Sequence, residues 1–390
     1  MKYFRLNLIL KGGLTAYCLF MLPAMQLNAQ RGAKQIGDFK ESISLNEHLR
    51  GAKRTLQYHP DGDEFVCING KNRYTRALYG RHSPFRVETS DRPVFAFYNN
   101  GRGGNISFKI ILRDGTEVAL DRTGHCESRY SAGKRTYYLT DPSWGKGELR
   151  IVVLALADMD GAIWRFSASN MPKGAILRWQ HGGATGKRLS RNGDMGVDPA
   201  DCFELPAEAA DLVTGELPLQ KEAYLVRGEV PEQSNARKLY QKAEAASLAL
   251  ASRLKIETPD PYLNTLGGAL VAAADGIWDG QVWLHGAIGW RMPLSGWRAG
   301  YTGDALGWHD RARTHFDAYA ASQVTDVPNT IPHPAQDSTM NLARSEKRWG
   351  TPQYSNGYIC RNPGRNNQMH HYDMNLCYMD ELLWHFNWTG

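Results

Sequence analysis

The residues best suited to chemistry on a ligand lie in a tryptophan-rich segment between Trp278 and Trp308. Five of the chain's eleven tryptophans fall in this segment, among many glycines. An indole face packs against the C–H groups of a sugar ring, while Arg, His and Asp side chains hydrogen-bond its hydroxyls. Because glycines favour loops, the pattern predicts a sugar-binding loop, although any single tryptophan could equally fill a core. The residues predicted to bind substrate here are His285, Trp290, Trp297, Arg298, Tyr301 and Trp308.

Two carboxylates, Asp304 and Asp373, are predicted to do acid–base chemistry. Asp304 follows Gly303 in the tryptophan-rich segment, and Asp373 follows His371 and Tyr372 where a helix is predicted to begin. Hydrolysis of a glycosidic bond needs one protonated and one ionised carboxyl group. The alternative role for each is a helix N-cap or first-turn acid. The sequence therefore predicts Asp304 and Asp373 as catalytic residues, with His371 and Tyr372 as further substrate-binding residues.

Signatures of metal and nucleotide sites are weak. A metal is suggested only by the number of histidines, namely His285, His309, His333, His370 and His371. None of them has His-x-x-x-His or His-Glu-x-x-His spacing, and adjacent residues on a helix point about 100° apart. The GGATGK text at 182–187 lacks the first glycine of a phosphate loop, and no Gly-x-Ser-x-Gly elbow occurs. The sequence predicts no metal and no cofactor.

The first 29 residues have the pattern of a signal peptide. Lys2, Arg5 and Lys11 form a basic start, and an apolar stretch at 14–22 precedes the Leu-Asn-Ala text at 27–29. The chain is therefore predicted to be periplasmic or secreted, and no later stretch is long and apolar enough for a transmembrane helix. The formal net charge of +6 includes those three leader residues, so we expect no nucleic-acid partner.

The hydrophobic pattern changes near residue 231. Before it, short β-rich runs are separated by turn dipeptides such as Asn-Gly and Asp-Gly, which predict an antiparallel β-sandwich over 30–230. A helical linker follows over 231–258, where the apolar stripe consists of Leu239, Ala243, Ala246, Leu250 and Leu254. The rest of the chain, 259–390, alternates predicted helices with polar loops, the arrangement of a helical barrel whose loops meet at one mouth. Two of these helices are predicted to carry an apolar face, formed by Ala312, Phe316, Tyr319 and Ala320 in the first and by Leu376, Met379, Leu383 and Phe386 in the last.

Three stretches of text carry a family resemblance. They begin YHPDGDEFVCINGKNRYTRALYG at residue 58, DPYLNTLGGALVAAADGIWDG at residue 260 and HHYDMNLCYMDELLWHFNWTG at residue 370. Together they resemble the six-hairpin glycosidases that Bacteroidetes secrete to dismantle plant and host polysaccharides. The resemblance implies a β-sandwich ahead of an (α/α)6 toroid, with a carboxylic acid and a carboxylate facing each other across its mouth.

The helical part is short for that family. A toroid of twelve helices needs roughly 350 residues, whereas 132 residues follow residue 258. We therefore expect a partial toroid, meaning the first hairpins of a fold that a longer chain or a partner chain completes. Apolar faces of the helices would otherwise remain exposed.

The leading functional hypothesis is a secreted glycoside hydrolase, or the N-terminal part of one. It would act on side chains of plant or host polysaccharides by carboxylate acid–base hydrolysis. A non-catalytic or vestigial carbohydrate-binding protein is the first alternative. A polysaccharide lyase is the second, with His371, Tyr372 and Arg298 as its candidate residues. In each case the expected ligand is an oligo- or polysaccharide.

Overall fold

The computed structural model describes most of the chain after residue 56. The described residues are 57–71, 76–186, 205, 208–219, 221–286, 291–293, 300–323, 325, 357, 359, 362–363 and 372–390. Within these ranges, no helix has the length and hydropathy that crossing a bilayer requires.

Fourteen described strands form two antiparallel sheets. The first sheet contains, in spatial order, β1 (His59–Asp61), β2 (Glu64–Ile68), β8 (His125–Ser131), β9 (Lys134–Thr140), β10 (Glu148–Ala155), β11 (Gly161–Ser169) and β14 (Ala223–Gly228). The second contains β13 (Val213–Pro218), β12 (Ile176–Ala184), β6 (Arg102–Ile111), β5 (Phe95–Asn99), β4 (Phe85–Thr89) and β3 (Arg76–Leu78), while β7 (Glu117–Ala119) pairs with β6. The predicted antiparallel sheets are thereby confirmed.

Aromatic rings from the two sheets meet in one core. The ring centroid of Phe95 lies 5.5 Å from that of Trp164 and 5.9 Å from that of Tyr137, both edge to face. Such pairs contribute about 0.5–1.5 kcal/mol each beyond the area they bury. In β8, buried residues alternate with partly exposed ones, as a strand with one face on a core requires. The sheets therefore pack face to face as a sandwich.

The described helices all follow the sandwich. They are α1 (Ala236–Ala251), α2 (Pro261–Gly276), the short α3 (Gly300–Ala305), α4 (His309–Ala320) and α5 (Tyr372–Thr389). Asn235 caps α1 by accepting from the Lys238 N–H, and Asp260 caps α2 ahead of Pro261. Helix α1 lies against the first sheet, where Tyr240 packs with Leu154 and Ile163. That the helices after residue 258 are the first hairpins of an (α/α)6 toroid stays a prediction.

A second core holds the later helices together. It includes Trp278 and Trp283, whose ring centroids are 4.7 Å apart, and the Trp283 indole N–H donates to the Ala274 carbonyl. Both indoles are buried, so these two tryptophans fill a core rather than line a loop. The predicted stripe on α4 is confirmed, because Phe316 and Tyr319 are buried in the same cluster. Burial of large aromatic area outweighs the loop tendency of the nearby glycines.

Candidate functional site

Asp304 lies at the centre of a cluster of polar side chains contributed by three helices. It is buried on α3, and one carboxylate oxygen is 2.7 Å from Nδ1 of His309 at the start of α4. Nδ1 of His385 on α5 lies 3.0 and 2.9 Å from the two oxygens. An ionised carboxylate only accepts hydrogen bonds, so both imidazoles must carry a proton on Nδ1. Each Nε2 is then left as an acceptor.

Close packing at two glycines holds α3 in this position. A Cβ added to Gly303 would lie 2.4 Å from the Trp283 ring, and one added to Gly300 would lie 2.2 Å from a Glu381 carboxylate oxygen. Gly307, at φ +71°, makes the turn into α4, and the Trp308 N–H donates to the Gly303 carbonyl at 2.8 Å. Any side chain at these glycine contacts would push α3 away from its neighbours.

Aromatic residues form the exposed rim of the cluster. Tyr301 and Trp384 meet edge to face, with ring centroids 6.2 Å apart. Half of Trp384 is exposed, and 43% of the His309 side chain is accessible. The Tyr301 hydroxyl donates to Asp380, and this bond, together with partial burial, raises the pKa of Tyr301 above its ordinary value. An apolar ring face could pack on this rim while His309 and Asp380 bind hydroxyl groups.

The other predicted site residues are placed less fully. Trp308 is buried, and the guanidinium groups of Arg253 and Arg311 lie over its ring at 5.1 and 4.4 Å. It therefore packs within the fold instead of presenting a binding face. His285 is half-buried, and its backbone N–H donates to the Met292 carbonyl. The backbones of Tyr372 and Asp373 begin α5, but their side chains are outside the described residues, as are Trp290, Trp297, Arg298 and His371.

The residue that sequence analysis missed most clearly is His385. It lies 81 positions from Asp304 in the chain, so no local motif links the two. A weaker signal exists, because the buried residues of α5, besides Asn375, are Met374, Tyr378, Glu381 and, nearly so, His385. Their spacings of four, three and four put them on one face. That periodicity marks His385 as inward-facing and next to whatever α5 packs on.

A second cluster joins a sandwich loop to the helices. One Asp275 oxygen on α2 is 3.1 Å from Nε2 of His82 and 2.7 Å from Nη1 of Arg311. Burial alone would raise the pKa of Asp275, but the hydrogen bonds from His82 and Arg311 hold it below its ordinary value. Arg86 and Arg291 both donate to the Gly276 carbonyl at the end of α2. These contacts hold the sandwich loop against the helices, so the role of the Asp275 cluster is structural.

His315 is excluded as a base by its surroundings. Its Nδ1 accepts from the Trp283 backbone N–H at 3.1 Å, and burial lowers the pKa of His315 to about 3. The imidazole is therefore neutral at physiological pH and carries its proton on Nε2. In the part of the chain that the structure describes, no three His, Cys, Asp or Glu side chains come together as metal ligands.

One cleft among the described residues lies away from Asp304. A cavity of about 630 Å³ opens between α1, α2 and the hairpins at Pro60–Gly62 and Ala132, and its lining includes Lys134 and Asn264. No residue of the Asp304 cluster lines it. Its polar groups are dispersed and do not converge on one point as those around Asp304 do, so we place the candidate site at Asp304.

Comparison with known proteins gives limited likeness. A domain of unknown function, DUF4450, matches residues 100–216, most of the sandwich from β6 to β13. A bacterial glucoamylase solved in complex with acarbose superposes with a TM-score of 0.41 and 8% sequence identity, over 67% of this chain. The chain spans about half of that protein's length, 55%. No curated protein matches the chain.

Proposed function

We propose that this chain is a carbohydrate-active protein of the glycoside hydrolase type, and that Tyr301, Trp384 and His309 form a sugar subsite. One observation carries the proposal, namely that an exposed indole and phenol meet at right angles on α5 and α3, the two helices whose His385 and Asp304 contact each other, and that the same carboxylate orients the accessible His309. Exposed aromatic faces next to directed polar groups suit a ring with one apolar face and hydroxyls at its edge.

Asp304 fits an orienting role better than that of a general acid. Both of its oxygens face imidazole Nδ1 atoms, so neither is left to protonate a leaving group. The other predicted carboxyl, Asp373, lies twelve residues before His385 on α5, roughly 18 Å along the helix axis. Glycosidase carboxyls stand about 5–9.5 Å apart. This backbone geometry does not favour Asp304 and Asp373 as one hydrolytic pair, and Asp380 is the carboxylate that the proposed subsite presents.

Binding to the subsite can be tested by isothermal titration of the protein with a panel of plant and host oligosaccharides. We expect Trp384→Ala to weaken the affinity at least tenfold, because stacking on the exposed ring is lost. Phe386→Ala is the matched control, since Phe386 is an aromatic residue on the same helix, is 62% exposed and lies two positions from Trp384, on the other side of the helix. Equal losses in both variants, or no binding by the parent protein, would overturn the subsite.

A polysaccharide lyase is the second candidate, and His309 is the observation that favours it. With Nδ1–H donated to Asp304, the accessible Nε2 of His309 can act as a base. Proton abstraction and elimination leave an unsaturated sugar that absorbs ultraviolet light, whereas hydrolysis leaves a saturated one. Mass and absorbance of the products from an acidic polysaccharide separate the two activities. Binding without product supports the non-catalytic alternative.

The proposal includes export from the cytoplasm, which the basic and apolar leader at 1–29 supports. Expression in the native host, followed by N-terminal sequencing of the exported protein, should find a mature chain that starts near Gln30. Retention of the intact leader in the cell would contradict this part of the proposal without affecting the subsite.

A further inference from the structure

Helix α5 exposes an apolar stripe that none of the described residues covers. We call this stripe the α5 seam, and its side chains are between 39% and 64% exposed. The residues of the seam are Leu376, Met379, Leu382, Leu383 and Phe386. Scattered exposed leucines are ordinary, but a continuous apolar stripe along one helix marks an interaction surface.

The spacing of the seam indicates what shape of surface would cover it. Leu376, Met379, Leu383 and Phe386 follow one another at three, four and three residues. That is the a/d repeat of a coiled coil, whose side chains interlock with those of a second helix. The opposite face of α5 is already buried, because Tyr378 donates to the Phe316 carbonyl on α4. The helix therefore has one buried face and one apolar exposed face, and among the described residues only the buried face has a partner.

The seam and the proposed sugar subsite are separate surfaces. Residues one position apart on a helix point about 100° apart, so Trp384 projects well to the side of Leu383. The polar residues Asp380 and Asn387 lie between the two surfaces. A partner on the seam can therefore leave the rim of the Asp304 cluster open to ligand.

We propose that a second copy of this chain covers the seam, through antiparallel packing of the two α5 helices about a two-fold axis. The five side chains expose on the order of 500 Å², so a pair would bury roughly 1,000 Å², the lower bound for a specific interface. In this arrangement Met379 faces the second copy's Leu383, and Leu376 faces the second copy's Phe386. The seam carries no charged side chain, so self-pairing places no like charges within the apolar contact.

The test is sedimentation of the full chain across a concentration series at neutral pH. We expect a monomer–dimer equilibrium that dissociates on dilution, with Leu383→Asp raising the dissociation constant at least 100-fold. Leu270→Asp is the matched control, because Leu270 is also about half exposed but lies on α2. Circular dichroism of both variants shows whether they are folded.

Three results would overturn the proposal. They are a parent protein that is monomeric at every concentration, an oligomer that Leu383→Asp leaves intact, and equal effects of the two aspartate variants. A monomeric parent would instead favour a helix of another chain as the occupant. Sugar titration of the Leu383→Asp monomer is independent of this outcome, because the seam does not include Tyr301 or Trp384.

Discussion

Asp275 and Asp304 are two carboxylates of the helical part that each accept hydrogen bonds from two nitrogen donors, and the donors differ in kind. Asp275 has one permanent cation, Arg311, besides His82. Asp304 has only two imidazoles, His309 and His385. Arginine keeps its charge at every physiological pH, whereas imidazole does not. A carboxylate held by a permanent cation suits a structural joint, and one held by two imidazoles, of which His309 is accessible to solvent, suits a site that exchanges protons.

The largest loss of stability should come from removing the arginine of the Arg311–Asp275 pair. Arg311→Met leaves a buried carboxylate with His82 alone, so the free energy of unfolding should fall by about 3 kcal/mol. The measurement is urea unfolding at pH 7. His309→Asn is the matched change at Asp304. Because His309 is half exposed, its replacement should lower the free energy of unfolding by less than about 1 kcal/mol. Equal losses at the two sites would remove the distinction between them.

The pH dependence of the free energy of unfolding distinguishes the buried His315 from the more accessible imidazoles. Burial lowers the pKa of His315 to about 3, while an unfolded histidine titrates near 6.5. Below about pH 6.5 His315 binds a proton in the unfolded chain but not in the native one, so acidification favours unfolding. Through His315 alone, the free energy of unfolding should fall by roughly 2 kcal/mol between pH 6.5 and pH 5.

The contribution of His315 is isolated by comparing the parent protein with a variant that lacks the imidazole. His315→Asn retains an acceptor for the Trp283 N–H but cannot titrate, so its stability should fall less steeply over the same pH range than that of the parent. Urea unfolding at half-unit pH steps gives both curves. Parallel curves would show that the pKa of His315 is not lowered in the native state.

A smaller effect should follow from Asp304→Asn. The amide nitrogen donates where the carboxylate accepted, so one of the two imidazoles must change tautomer. We expect a loss of about 1–2 kcal/mol in unfolding free energy. Nitrogen-detected NMR of the imidazoles should show protonated Nδ1 atoms on His309 and His385 in the parent, and a changed pattern in the variant. A parent with Nε2–H on both rings would contradict the orienting role of Asp304.

The smallest effect concerns the exposed rim. Tyr301→Phe removes the hydroxyl that donates to Asp380, and such a surface contact should change the unfolding free energy by roughly 0.5 kcal/mol. The pKa of Tyr301 offers a sharper measurement. Absorbance titration of the parent and of Asp380→Asn should differ by one tyrosine, which ionises above its ordinary value in the parent and at a lower pKa in the variant. An unchanged titration would mean that the hydrogen bond to Asp380 does not form in solution.

Part of the candidate site follows from local sequence. The glycine-rich text around Asp304 marks a place with little room for a side chain, and the structure shows the side chains of Glu381 and Trp283 packed directly on Gly300 and Gly303. The same reasoning misplaced Trp278 and Trp283, because residue type alone does not say whether an indole faces a core or a ligand. Their burial depends on α2 and α4, which lie on either side of them in the chain.

The sequence by itself determined the change from strands to helices near residue 231 and the apolar face of α4, because side-chain period records which face is buried. It also determined that α5 carries an apolar stripe. Tertiary structure alone decided that this stripe is exposed and that His385 meets Asp304. Contacts between residues far apart in the chain depend on how whole helices pack, and hydrophobic period specifies a face without specifying its partner.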